Sequence, residues 1–175
     1  MARRREESED STDDAKRGLQ LAMRALARRP RTTTEIEALL RERALPGEVV
    51  AATLERLRER AYLDDGAVVE AVVRDGERRH IGSVRIAQVL ARRGLSDALV
   101  ERARAESAEG DLERARRLVA RRFRLGFGED SRRLARAARL LRSRGYPGAV
   151  VRAILGDEAA GEGDADPDAG VVLND

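Results

Sequence analysis

The chain has no cysteine and no tryptophan, a single histidine, and only two tyrosines and two phenylalanines in 175 residues. Without cysteine there are no disulfides and no thiolate metal sites, a usage that fits a reducing compartment. One histidine, His80, excludes a two-histidine metal site and any imidazole relay. With so few aromatic residues no large aromatic core is available, so alanine, leucine and valine in small helical modules must supply the burial. No apolar run approaches the ~20 residues of a membrane span, and the N-terminus lacks the apolar region of a signal peptide. A soluble, cytoplasmic protein is expected. Lysine is nearly absent too: Lys16 is the only one. A positive charge carried almost wholly by arginine has two alternative sources, a GC-rich coding bias or functional selection.

Signs of catalysis are equally sparse. There is no G-x-S-x-G elbow and no Walker-type phosphate loop. Gly126-Phe127-Gly128 resembles a fragment of a glycine-rich loop but lacks the flanking strand and helix. Asp64 and Asp65 are adjacent, which suits helix capping better than paired-carboxylate chemistry. Neither an enzyme nor a cofactor nor a metal site is expected.

What is present is unevenly distributed charge. The formal net charge is +3, yet residues 18–155 carry 30 bases against 19 acids, a net of +11. Residues 156–175 carry seven acids and no base. Such a basic body suggests an anionic partner, or one that itself binds nucleic acid; a solvated arginine-rich surface is the alternative. Arg74, Arg78, Arg79 and Arg85 surround the middle of the chain, and 111–144 holds twelve arginines against four acids. Guanidinium groups suit carboxylates and phosphates alike. Stacking platforms are nearly missing, so nucleic-acid binding would be directed at backbone phosphates of single or double strands and be salt-sensitive. The acidic end, after Gly156, would compete for the same face.

One turn recurs three times: Leu40 to Val50, Leu90 to Val100 and Leu141 to Val151. Each copy has an apolar anchor, a basic helix end, a small residue, an apolar residue, a turn former, and an apolar pair. This is the pattern of a Schellman stop. Gly94 and Gly145 take the left-handed conformation, and Leu95 and Tyr146 fold back onto Leu90 and Leu141. Pro46, Ser96 and Pro147 start the next helices. Ala44 replaces glycine in the first copy, a strain of about 1 kcal/mol if left-handed. The spacing Leu45, Leu95, Tyr146 gives a period of about 50 residues, which reads as a stacked helical repeat.

Helical periodicity fills in the rest. A first helix starts near Lys16 and ends by Pro30. Thr34 with Glu37 has capping-box spacing for the second, and the third spans Gly47 to Ala61. The stripe Val68, Val69, Val72 and Val73 predicts a helix ending near Asp75-Gly76. Ser83 caps the helix bearing Ile86 and Leu90, and Asp97 to Glu106 follows. Asp111 opens the next, Leu125-Gly126-Phe127-Gly128 is a loop, and helices around Leu134–Leu141 and Val150–Leu155 close the series. The expectation is an all-α fold of three tandem three-helix repeats in an elongated, possibly curved array. The repeats are expected at 16–63, 64–109 and 110–156, with disordered tails at 1–15 and 157–175.

The ordered residues resemble a known family. Ala25-Leu26-Ala27-Arg28-Arg29-Pro30-Arg31-Thr32 with Glu35-Ile36 and Leu39 resembles the opening repeat of the RecX family of bacterial recombination regulators. Tyr62-Leu63-Asp64-Asp65 is similar to its aspartate pair. Gly82-Ser83-Val84-Arg85-Ile86 with Leu90 and Arg93-Gly94-Leu95 resembles its central signature, and Leu140 to Tyr146 its C-terminal repeat. Val68, where the family tends to have phenylalanine, and Ala44 are departures at packing and turn positions. The resemblance implies a modulator of RecA that binds the RecA–DNA filament and suppresses its ATPase, strand-exchange and coprotease activities in recombination, repair and the SOS response; a monomer is expected. Charge clustering, rather than any family motif, assigns the contacts to Arg74, Arg78, Arg79, Arg85, Arg121, Arg122, Arg132 and Arg133. A different class, a helix-turn-helix reader of duplex DNA, would need asparagine or glutamine in 97–106, which has neither.

Overall fold

The computed structural model describes residues 2–123 and 130–156, and among them every element is helical. The order is α1 (Ala2–Leu26), α2 (Thr33–Glu42), α3 (Gly47–Glu59), α4 (Asp65–Arg78), α5 (Ser83–Arg92), α6 (Asp97–Ala108), α7 (Asp111–Arg122), α8 (Ser131–Ser143) and α9 (Gly148–Leu155). The all-α repeat expectation holds. The Leu125–Gly128 loop and the acidic tail lie outside the described residues.

The three recurrent turns are left-handed stops, as their sequence requires: Ala44, Gly94 and Gly145 have φ of 57°, 73° and 77°. At Gly145 the full Schellman pair forms. The Tyr146 amide donates to the Leu141 carbonyl at 3.1 Å, and the Gly145 amide to Arg142 at 2.8 Å. Ala44 makes the same pair less tightly, Leu45 to Leu40 at 3.4 Å and Ala44 to Arg41 at 2.9 Å. Two further left-handed stops, Ala61 and His80, both at φ 54°, carry no glycine to announce them.

Several boundaries move from their expected places. α1 begins at Ala2 rather than near Lys16, so the stretch expected to be a disordered tail is helical. Residues 2–17 contain neither proline nor glycine, and a helix once nucleated propagates through such a segment at little cost per residue. α4 runs through Gly76 to the stop at His80. Gly76 is a close-approach site: a β-carbon there would lie 2.8 Å from Ile86 Cγ1. The α2 capping box is Thr32 with Glu35, not Thr34 with Glu37, because the Thr34 hydroxyl is engaged elsewhere.

Packing divides the chain into two units, the first running to Val69 and taking in Arg93–Leu95, the second holding Glu70–Arg92 and the chain from Ser96 on. The first is built on Ala22, Ile36, Leu40, Leu54 and Leu57. In the second, Ala115, Leu118, Leu141, Tyr146 and Val151 form one core. Aliphatic side chains dominate both, as the scarcity of aromatics demands.

Candidate interaction surface

Each unit contains a joint in which a left-handed stop is seated on the start of another helix. In the first unit the α5 stop docks on α2. Thr32 Oγ1 donates to the Arg93 carbonyl at 2.8 Å, and Thr34 Oγ1 to the Gly94 carbonyl at 2.7 Å. Thr32 is completely buried. Its hydroxyl also accepts from the Glu35 amide at 3.1 Å, while its own amide donates to Glu35 Oε2 at 3.0 Å. The same carboxylate takes Arg93 bidentately, Nε at 3.0 Å and Nη2 at 3.1 Å. Burial alone would raise the Glu35 pKa, but the hydrogen bonds from Arg93 and the Thr32 amide, with the charges of Arg93 and Arg29, hold it below the ordinary value. The aspartate pair splits its work: Asp64 caps α4 through the Ala67 amide at 2.9 Å, and Asp65 accepts the Thr33 amide of α2 at 2.8 Å.

In the second unit the α8 stop docks on the start of α5. The Gly82 amide donates to the Arg144 carbonyl at 2.8 Å and the Val84 amide to Gly145 at 3.1 Å. Ser83 does not cap α5 itself. Its amide and hydroxyl both donate to the fully buried Asp111, the hydroxyl at 2.6 Å, so an acid at the start of α7 supplies the cap. Arg114 neutralises Asp111 at 2.8 Å, reaches Glu77 at 2.8 Å, and donates to the carbonyl and hydroxyl of Ser107. Buried carboxylate and guanidinium are therefore paired and hydrogen-bonded, the condition under which such a pair is tolerated.

All eight arginines assigned to partner contact fall in the second unit, and they divide sharply. Arg74 pairs with Glu70 at 3.1 Å, and Arg78 and Arg79 share Asp75 at 2.8 and 3.0 Å, all with exposed guanidiniums. Arg121, Arg122 and Arg132 are exposed and Arg133 half-buried. Arg85 is not a surface residue: it is 4% exposed, packed against Gly145, with Nη1 3.4 Å from Gln88 Oε1. It belongs to the joint, because the start of α5 must lie against the α8 stop. The remaining motif residues are structural. Gly82, Ile86, Leu90, Leu95 and Tyr146 are buried, and Gly94 and Gly145 form the stops.

Sequence reasoning missed a cluster at the end of α4. The Arg144 guanidinium donates to the Arg79 carbonyl at 2.9 Å, and the Tyr146 hydroxyl to the His80 carbonyl at 3.0 Å. Burial of the imidazole, then the charges of Arg121, Arg117, Arg144 and Arg114, push the His80 pKa below its ordinary value. Nothing in local periodicity relates His80 to Arg144; only the stop-on-helix joint brings them together.

A helical-repeat protein with two buried joints and an arginine-rich exterior is the class these features define. Residues 19–57 match the family model for the first three-helix domain of RecX, and residues 109–155 that for the third. Regulatory protein RecX from Halorhodospira halophila is 39% identical over 150 residues, spanning 85% of this chain and 89% of that protein. RecX from Streptomyces coelicolor is 34% identical over 82% of this chain and 78% of its own. The crystal structure of RecX from Lactobacillus salivarius superposes with a TM-score of 0.71 over 82% of this chain and 95% of its own, at 20% identity. The chain belongs to the RecX family of regulatory proteins.

Proposed function

We propose that this chain binds the RecA–DNA filament and restrains its ATPase, strand-exchange and coprotease activities, acting as a cytoplasmic monomer through binding rather than catalysis. Its place is recombination and DNA repair. The contact surface is the exposed set Arg74, Arg78, Arg79, Arg121, Arg122 and Arg132 with the half-buried Arg133, and the working modules are three-helix repeats at 16–63, 64–109 and 110–156. Membership of a regulatory family carries the reading, together with the surface charge. Arg121 and Arg122 project from α7 with no carboxylate partner among the described residues, a surplus of donors suited to acidic protein surface and phosphate.

The test is inhibition of RecA ATPase on single-stranded DNA by the intact chain and by a variant carrying Arg74→Glu, Arg78→Glu, Arg121→Glu and Arg122→Glu. The variant should keep its helical circular dichroism and lose inhibition; retained inhibition rejects the assignment. A pull-down with RecA, with and without single-stranded DNA, set beside a salt titration of duplex binding separates this reading from direct action on DNA.

A further inference from the structure

We propose that His80, Arg117, Arg121 and Arg144 form an oxyanion site at the end of α4 that takes one phosphate of a nucleic-acid backbone, an assignment that rests on reading the basic face as phosphate-directed. The site is built rather than incidental. His80 is a non-glycine residue held left-handed at φ 54°, a conformation few residues adopt. Its backbone is pinned by the Ile81 amide on the Gly76 carbonyl at 2.8 Å and by the Tyr146 hydroxyl on its own carbonyl. Its Nδ1 is buried without a hydrogen-bond partner, which leaves Nε2 as the nitrogen for a ligand. Arg144 is tethered by Nη1 to the Arg79 carbonyl, so its other donors are oriented. Arg114 ties one face of α7 to Glu77 of α4. Arg117 and Arg121 stand one and two turns further along that face.

The neighbouring acids are already engaged. Glu77 and Asp111 serve Arg114, Asp75 serves Arg78 and Arg79, and exposed Glu113 pairs with Arg117 at 3.1 Å. Among the described residues no acid pairs with Arg121, and the imidazole sits in the field of several cations. A phosphodiester keeps its charge and offers several oxygens to converging donors. An acidic protein surface would bind through desolvated apolar anchors, yet Tyr62, in the other unit, is the one large hydrophobic exposed among the described residues. That difference favours nucleic acid.

Because His80 is the only histidine, its imidazole resonances report on the site alone. They are followed by NMR against pH in the full chain, free and saturated with inorganic phosphate, with oligothymidylate, and with polyglutamate at equal charge and ionic strength. Phosphate and oligothymidylate should each raise the His80 pKa, by about one unit. Arg121→Gln should abolish the rise and lower the salt slope of oligothymidylate binding by about 1, and Arg104→Gln on α6 should do neither. No rise, a rise with phosphate but not the oligonucleotide, or an equal rise with polyglutamate overturns the assignment, the last in favour of an acidic protein. RecA inhibition is measured on the same Arg121→Gln variant. A lost His80 response with inhibition intact keeps the phosphate site and removes Arg121 from filament inhibition. Lost inhibition without any His80 response in the parent does the reverse.

Discussion

Gly145 lies so close to Arg85 that no side chain fits between them: a β-carbon on Gly145 would stand 2.5 Å from the Arg85 amide nitrogen and 2.8 Å from its Cα. The glycine is therefore demanded twice, by its positive φ and by the α5 backbone. Gly94 is in the same position against Thr34, whose Cγ2 would be 2.6 Å from an added β-carbon. Ala44 is left-handed too but exposed, so its methyl meets solvent and only the strain of the positive φ remains.

Substitution should separate the two demands. Gly145→Ala adds left-handed strain and a backbone clash, and should destabilise by about 2–4 kcal/mol. Ala44→Gly only relieves strain and should stabilise by about 1 kcal/mol. Urea unfolding of both variants measures the pair. Equal and opposite effects would show that φ alone sets the preference for glycine.

Asp111→Ala leaves Arg114 buried beside an empty cap and strips α5 of its acceptor. A loss of about 3–5 kcal/mol is expected. Asp111→Asn, which keeps an acceptor for Ser83 but not the charge, should fall between it and the parent. Thermal unfolding distinguishes them.

Glu35 links stability to acid. Its pKa in the folded chain lies below the ordinary glutamate value of 4.5, so the unfolded chain takes up the proton first. The stabilisation is complete above about pH 4.5 and is lost as pH falls through the lower folded value. Arg93→Ala removes the bidentate partner and should flatten this acid limb, while lowering stability at pH 7 by about 1.5–3 kcal/mol. Denaturant midpoints from pH 3 to 7 supply the comparison.

Tyr146 acts at the other extreme. Burial pushes its hydroxyl from 10.0 up to about 12, so the unfolded chain ionises first as pH rises. Stability present below pH 10 should decline between pH 10 and about 12. Tyr146→Phe removes this contribution and the bond to the His80 carbonyl, giving a less stable protein with a shallower alkaline limb. An unchanged limb would show that Tyr146 ionises freely in the folded state.

Local chemistry determined the helices and their ends. Alanine, leucine and valine at helical spacing specify the elements, and glycine after a basic last turn specifies two stops, since both act within one or two turns of the chain. Even the family resemblance was legible in these short stretches. Tertiary structure decided what each stop and each charge is for. Ala61 and His80 turn left-handed without glycine. Thr32 takes the capping box because Thr34 is drawn to the Gly94 carbonyl, and Asp111 caps a helix 28 residues away. Arg85 is buried by a glycine sixty positions on, while the charges of Arg117, Arg121 and Arg144 act on His80. Such pairings depend on which helix end lands on which helix start, and burial and charge interact through space at distances sequence periodicity does not encode.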